Sequence, residues 1–423
     1  MFNWLGRKGE REAPNYGTSL LAAHGCAPLP ALTGGAAAVS IRRMSVTRDP
    51  SLATPSGRPR ARSLGLPLSG TPGRWNAVTD VPGVEVGFTT LVQGDAVRTG
   101  VTAIHPRGPA GTGDPCVAGF HSFNGNGEMT GVAWILESGT MSGPICLTNT
   151  HAVGVAHQAA VRWTVAHHPD VAEGWMLPVI AETWDGYLND INGEHLTVEH
   201  AVAALDAAST GPIEEGSVGG GTGMNCYHFK GGSGTASRVV PFAGTEHTVG
   251  VFVQANFGAR HELVICGVPL GEALGDDDPM AELYDRPSGA GSIIGVVVTD
   301  APLLPQQCSA LARRVPLGIG RTGTSGSHFS GDLFIAVSVA NPGAITPGHV
   351  MMSPDVVPDY DSLRFVPWGF MDPFFEAVVQ ATEEAVLDAL IANEEMVGFR
   401  GHRTPALPRD RVTELLRRRG AIE

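Results

Sequence analysis

Positive charge is scarce in this chain. Lysine and arginine number 28 against 42 aspartates and glutamates, a formal net charge of −14. Binding to a phosphate backbone rests on neutralisation by Lys and Arg, so the balance argues against a nucleic-acid partner. Long apolar runs are missing as well. No stretch of 18 apolar residues occurs, so neither a transmembrane helix nor a membrane partner is expected. Cysteines are few: Cys26, Cys116, Cys146, Cys226, Cys266 and Cys308, with no C-x-x-C pair among them. That usage fits reduced, mostly buried thiols in a reducing compartment. H-E-x-x-H and other metal spacings are absent, so no metal is expected. The stretch "SLLAAHGCAPLPALTGGAAAV" is broken by His, Pro and Gly and follows the mixed-sign cluster "RKGERE". It makes a poor secretory signal, and a cytoplasmic location is expected.

What is present points to a globular α/β (α+β) protein. The 423 residues suit one large domain or two ordinary ones, and 43% of them are apolar. Residues 1–70 are rich in Pro, Gly, Ser, Ala and Arg without periodicity, and are expected to form a disordered extension. Residues 71–423 are expected to form a single domain. There, short apolar runs recur between Gly, Pro, Asn and Asp turns. "VEVGFTTLV", "GVTAIHP", "VAGFHSF", "GVAWIL", "ICLTNT", "WMLPVIAET", "TVGVFVQANF", "HELVICGVPL", "SIIGVVVTD" and "DLFIAVSVAN" read as strands. "GVAHQAAVRWTVAHH", "TVEHAVAALDAA", "PQQCSALARRVPLGI" and "MDPFFEAVVQATEEAVLDALIAN" read as helices. In the last, Asp372 stands at a cap and Pro373 at the first helical position.

The most glycine-dense stretch is "EEGSVGGGTGMNCYHFKGGSGTASR", Glu214–Arg238. It lacks the spacing of a phosphate loop, and Met224 stands where G-x-G-x-x-G needs glycine. A strand pair with tight turns is expected there, with its backbone as a candidate substrate lining. Four other places carry candidate chemistry. Glu182 ends an apolar run in "PVIAETWDGYLNDIN", followed by Trp184; a carboxylate there suits a cationic group or is simply a solvated strand end. Asn256 ends a strand before Gly258; its amide suits a developing oxyanion, or an ordinary turn. Ser330 and Asp332 precede another strand and are either supports for a nucleophile or turn residues. Ser292 follows the loose run "RPSGAG" and opens "SIIGVVV". A serine at a strand start is usually unremarkable. A flexible run before it and a rigid strand after it, however, are what an N-terminal nucleophile needs, since a freed α-amine serves as its own general base.

Taken together, these stretches resemble a known family. "SVGGGTGMNCYHFKGGSGTASR", "VQANFGAR", "GAGSIIGVVVTDAPLLPQQCSALARR", "GRTGTSGSHFSGDLFIAVSVAN", "FNGNGEMTG" and "LTNTHAVG" follow, in order, the L-aminopeptidase/D-esterase-amidases and β-peptidyl aminopeptidases. The resemblance runs from about Arg74 to about Asn393. It implies a four-layer αββα sandwich, like the N-terminal-nucleophile hydrolases but with different connectivity. It also implies self-cleavage at Gly291–Ser292 into chains 1–291 and 292–423, and assembly as a tetramer of such αβ units. Carried over position by position, Ser292 is the nucleophile, Asn256 lends the oxyanion hole, and Ser330 lies near the nucleophile. Asp332 orients the catalytic amine, and Glu182 holds the substrate's free amino group. One position departs: Trp184 stands where some members have an oxyanion-hole tyrosine. The implied activity is hydrolysis of amides, esters or peptides of an N-terminal L-α-, D-α- or β-amino acid, with no metal or organic cofactor. Two other readings stay open: an acyltransferase related to the ornithine acetyltransferases, whose nucleophile is threonine, and a non-catalytic relative that binds a small molecule.

Overall fold

Strands β1 (Glu85–Gln93), β2 (Val97–His105), β5 (Ile145–Asn149) and β6 (Val179–Thr183) form one sheet, in the order β1-β2-β5-β6. The second sheet contains β3 (Cys116–Gly125), β4 (Thr140–Met141), β7 (Gly232–Phe242), β8 (Thr245–Asn256), β9 (Ser292–Thr299) and β10 (Gly331–Ser338), in the order β4-β3-β10-β9-β8-β7. The helices that frame them are α1 (Val132–Ser138), α2 (Val153–His167), α3 (Val198–Asp206), α4 (Pro305–Ala312), α5 (Val315–Gly320) and α6 (Asp372–Ile391). The computed structural model describes residues 49–281, 291–353 and 355–423.

Side-chain alternation along the strands builds three apolar layers. Ile294, Val296 and Val298 of β9 point between the sheets and meet Ile104, Ile145 and Leu147. Their neighbours Ile293 and Val297 point the other way, into a cluster with Val378, Ala381 and Ala385 of α6. On the far face of the first sheet, Ala103, Cys146 and Ile180 pack against Trp163 and Leu205 of α2 and α3. The result is the expected αββα sandwich. Every residue of β9 is buried, which accounts for its near-continuous apolar sequence. Close packing also explains Gly234 in β7: a Cβ there would lie 1.9 Å from the Ala385 carbonyl oxygen of α6.

Several expectations need correction. "GVAWIL" is helix α1, between Gly131 and Gly139, both left-handed; a short apolar run does not separate strand from helix. "HELVICGVPL" is not one strand but a small hairpin, Val264–Ile265 paired with Val268–Pro269. It turns at Cys266 and Gly267, which both have positive φ. The helix after β9 divides into α4 and α5, with Pro316 starting the second. Residues 49–70, expected to belong to a disordered extension, are ordered. Arg60 is 3% exposed, with Nε 2.7 Å from Glu215 and Nη2 2.8 Å from Asp388. Arg62 and Arg238 both pair with Glu384, at 2.7 and 2.6 Å. These partners lie up to 328 residues away in sequence, so local composition cannot reveal the ordering. Residues 1–48 and 282–290 lie outside the described residues.

Candidate active site

Three strand ends meet at Ser292. It opens β9, pairs in register with Asn256, the last residue of β8, and pairs on its other side with Gly331, the first residue of β10. Register alone therefore brings Ser292, Asn256, Ser330 and Asp332 together. Ser292 is buried, and its Oγ has no hydrogen-bond partner among the described residues. Leaving a buried hydroxyl unpaired costs about 1–3 kcal/mol, and such orphans call for a functional reason.

The backbone before Ser292 is equally constrained. The Gly291 carbonyl accepts the Gly331 N–H at 3.1 Å. A Cβ on residue 291 would lie 2.2 Å from the Asn256 carbonyl oxygen, so only glycine fits. Asn256 is held at both ends of its amide. Its Oδ1 accepts the Asn225 N–H at 2.8 Å, and its Nδ2 donates to the Trp184 carbonyl at 2.9 Å. One Nδ2 hydrogen is left for another acceptor.

Asp332 is a buried acceptor. The Ser330 hydroxyl donates to its Oδ1, and Asn124 Nδ2 donates to its Oδ2 at 2.8 Å. Burial pushes its carboxyl above the usual range, against these donors and the Ile293 N–H beside Ser292. Glu182, at the end of β6, is also buried. It accepts the Glu128 N–H at 3.0 Å and the Thr150 hydroxyl. Burial raises its pKa too, outweighing those two donors. No lysine or arginine pairs with Glu182 among the described residues. A buried carboxylate without a cation is a ready seat for an ammonium group.

A cleft of about 270 Å³ unites most of these groups; Glu182, Trp184, Asn256, Gly291 and Ser292 all line it. Ser330 and Asp332 do not. They line a smaller neighbouring cavity of about 80 Å³, behind Ile293. Trp184 is 42% exposed; its ring leans over Gly186, while its backbone holds Asn256. Thr150, Asn225 and His228 also line the cleft, and sequence reasoning gave them no role. The only signals were their places in "LTNTHAVG" and "MNCYHF". The glycine-dense stretch forms the expected tight pair: Asn225–Cys226 and Phe229–Lys230 are antiparallel, joined by Tyr227 and His228.

A buried, unpaired serine hydroxyl beside a spare amide hydrogen and a carboxylate that no described lysine or arginine pairs with can perform acyl transfer on a substrate bearing an amine. The description of peptidase family S58 matches residues 76–404. The chain belongs to peptidase family S58. It is a serine-type aminopeptidase of that family. Among its relatives, it is 45% identical over 379 residues to the β-peptidyl aminopeptidase BapA of Sphingosinicella microcystinivorans, covering 85% of this chain and 92% of that one. A β-peptidyl aminopeptidase BapA of Sphingosinicella xenopeptidilytica is 44% identical over 377 residues, again 85% and 92% of the two chains. Among solved structures, the L-aminopeptidase D-Ala-esterase/amidase of Ochrobactrum anthropi superposes with a TM-score of 0.80 at 45% identity, covering 86% of this chain and all of that one. It is described as a variant of the Ntn-hydrolase fold. A Burkholderia β-aminopeptidase superposes with a TM-score of 0.78 at 42% identity, covering 85% and 98%. The layered sandwich of this S58 chain agrees with both, and the acyltransferase and non-catalytic readings are not favoured. Among the described residues no helix is long and apolar enough to cross a membrane. No cluster of three or more His, Cys, Asp or Glu side chains is placed to hold a metal there.

Proposed function

We propose that this S58 enzyme cuts its own Gly291–Ser292 bond and then uses Ser292 to release N-terminal amino acids from short peptides, amides and esters. The observation that carries the reading is the orphan Ser292 Oγ, in register with Asn256 and in one cleft with Glu182. In the first step, Oγ attacks the Gly291 carbonyl carbon and the peptide C–N bond breaks, leaving an ester and a free Ser292 amine. Water hydrolyses the ester, Gly291 keeps the new carboxylate, and Ser292 regains its hydroxyl.

In turnover the substrate's ammonium group sits on Glu182. The Ser292 amine, with an ordinary pKa of about 7.7–8.0, takes the hydroxyl proton as Oγ attacks the acyl carbon. The spare Nδ2 hydrogen of Asn256 meets the oxyanion. The amine passes its proton to the leaving nitrogen, and water then frees the acyl group by the reverse sequence. Asp332, fixed by Ser330 and Asn124 beside Ile293, positions the Ser292 amine. The β-peptidyl relatives favour a β-amino acyl group, with L- and D-α-amino acids as the other members of the substrate class. The αβ units are expected to assemble as a homotetramer in the cytoplasm.

The test has two parts. Purified protein on a denaturing gel should give fragments of 1–291 and 292–423, the second starting at Ser292. A panel of β-alanyl, L-alanyl and D-alanyl amides should then show turnover with one acyl class preferred. An intact chain that still turns over the panel would remove Ser292 from the mechanism.

A further inference from the structure

His228 lines the same cleft as Glu182 and Ser292, and the family reading gives it no task. Among the described lining residues it is the one side chain able to carry positive charge, as Glu182 is the one carboxylate. The ring is fixed. Nδ1 faces both oxygens of Asp278, at 3.0 and 2.9 Å, so it carries a hydrogen and Asp278 accepts. Nε2 has no hydrogen-bond partner among the described residues.

The backbone beneath the ring is fixed with unusual care. Tyr227 and His228 are the two turn residues of a tight hairpin, and both have positive φ, 53° and 57°. Such turns favour Asn and Gly, so tyrosine and histidine here persist only because their surroundings dictate them. Arg260 donates to the Tyr227 carbonyl at 3.0 Å and to the His228 carbonyl at 2.7 Å, while its guanidinium stacks on Phe229. The Tyr227 hydroxyl and Thr322 Oγ1 are hydrogen-bonded at 2.8 Å. The neighbouring acid, Asp277, is occupied by Arg403.

We propose that His228, held by Asp278, binds the free carboxylate of the leaving residue, so that the enzyme prefers dipeptides over the same compounds with a blocked C-terminus. With Nδ1 turned to Asp278, Nε2 is the ring atom left to meet a carboxylate, and between two carboxylates the ring donates a hydrogen bond from each nitrogen. A dipeptide carries an ammonium and a carboxylate, and the cleft offers Glu182 to the first and His228 to the second. This specificity rests on the reading of Ser292 as nucleophile.

The experiment compares β-alanyl-alanine with β-alanyl-alaninamide on the full enzyme, and repeats the pair on His228→Gln and Asp278→Asn. Wild type should favour the free acid by about tenfold in kcat/KM, mostly through KM. H228Q should remove that preference, lowering kcat/KM for the acid about tenfold more than for the amide; D278N should reduce it. Processing into two fragments reports that each variant folds, and the wild-type comparison needs no variant at all. Equal turnover of acid and amide by wild type, or an equal fall of both in H228Q, would overturn the assignment. Failure of the Ser292 reading looks different: neither compound is turned over and the chain stays whole.

Discussion

Ser292 and Asn256 face each other as the last matched pair of two antiparallel strands, β9 and β8. One hydroxyl is left unpaired, and the amide opposite is fastened on two sides. The geometry therefore offers a free nucleophile next to a donor that does not need to reorganise, which is the condition for electrostatic stabilisation of a developing charge. Asn256→Ala should leave the strand pairing intact and lower kcat about 10²–10³-fold, with a smaller effect on KM. Steady-state kinetics on a β-alanyl p-nitroanilide would check this, and an unchanged kcat would remove Asn256 from the oxyanion site.

Gly291 gives a prediction on processing. Its missing Cβ would meet the Asn256 carbonyl oxygen at 2.2 Å, a backbone atom that cannot swing away. Gly291→Ala should displace the scissile carbonyl from the Gly331 N–H and slow self-cleavage at least about tenfold. Ser292→Ala should abolish it. Time-resolved denaturing gels of freshly folded protein distinguish the two; cleavage of G291A at the wild-type rate would show that the contact does not guide the step.

Glu182 predicts a pH effect. Burial raises its pKa above that of an ordinary glutamate, and only the ionised form pairs with the substrate's ammonium. As pH falls through that raised value Glu182 gains a proton, so kcat/KM should fall on the acid side, and should begin to do so at a higher pH than for an exposed glutamate. Glu182→Gln should lower kcat/KM by about 10–100-fold and lose the Glu182 step from the acid limb, leaving the step set by protonation of the Ser292 amine. A pH–rate profile that keeps the same limb in E182Q would assign it to another group.

How legible was all this in the sequence? The layered fold was, because β9, β10 and the second part of β8 from Val249 are buried on both faces and leave near-continuous apolar runs. The proposed roles of Ser292 and Asn256 could be read only as a set: each is an ordinary strand-end residue until pairing places them opposite one another. Thr150 and His228 escaped because their meaning depends on a distant partner, Glu182 or Asp278. The error at residues 49–70 has the same cause. Arg60 sits in a stretch of disordered composition, yet it is ordered by acids on a helix 328 residues on.

That cluster carries a stability prediction. Arg60, Arg62 and Arg238 face Glu215, Glu384 and Asp388, and Arg60, Arg238 and all three acids are buried. Arg60→Met removes one charge and strands Glu215 and Asp388, and breaking a buried pair from one side costs about 3–5 kcal/mol. Thermal or denaturant unfolding should register a loss of that size. A loss below about 1 kcal/mol would mean that the cluster behaves like a surface pair.

Trp184 has two separable parts. Its carbonyl fixes Asn256, a contact any residue can make, and its half-exposed ring forms part of the cleft wall. The two parts predict different consequences of mutation. Trp184→Ala and Trp184→Tyr should both self-cleave normally, because the hold on Asn256 runs through the main chain. They should instead shift KM among acyl groups of different size, by about 3–10-fold, the worth of one or two methylene-sized contacts. If the ring itself supplied an oxyanion donor, W184A would lose kcat for every substrate alike and W184Y would restore it. Parallel kinetics on β-alanyl and bulkier β-amino acyl amides separates these outcomes: a KM effect that depends on the acyl group makes Trp184 a wall, and a uniform kcat effect makes it part of the catalytic machinery.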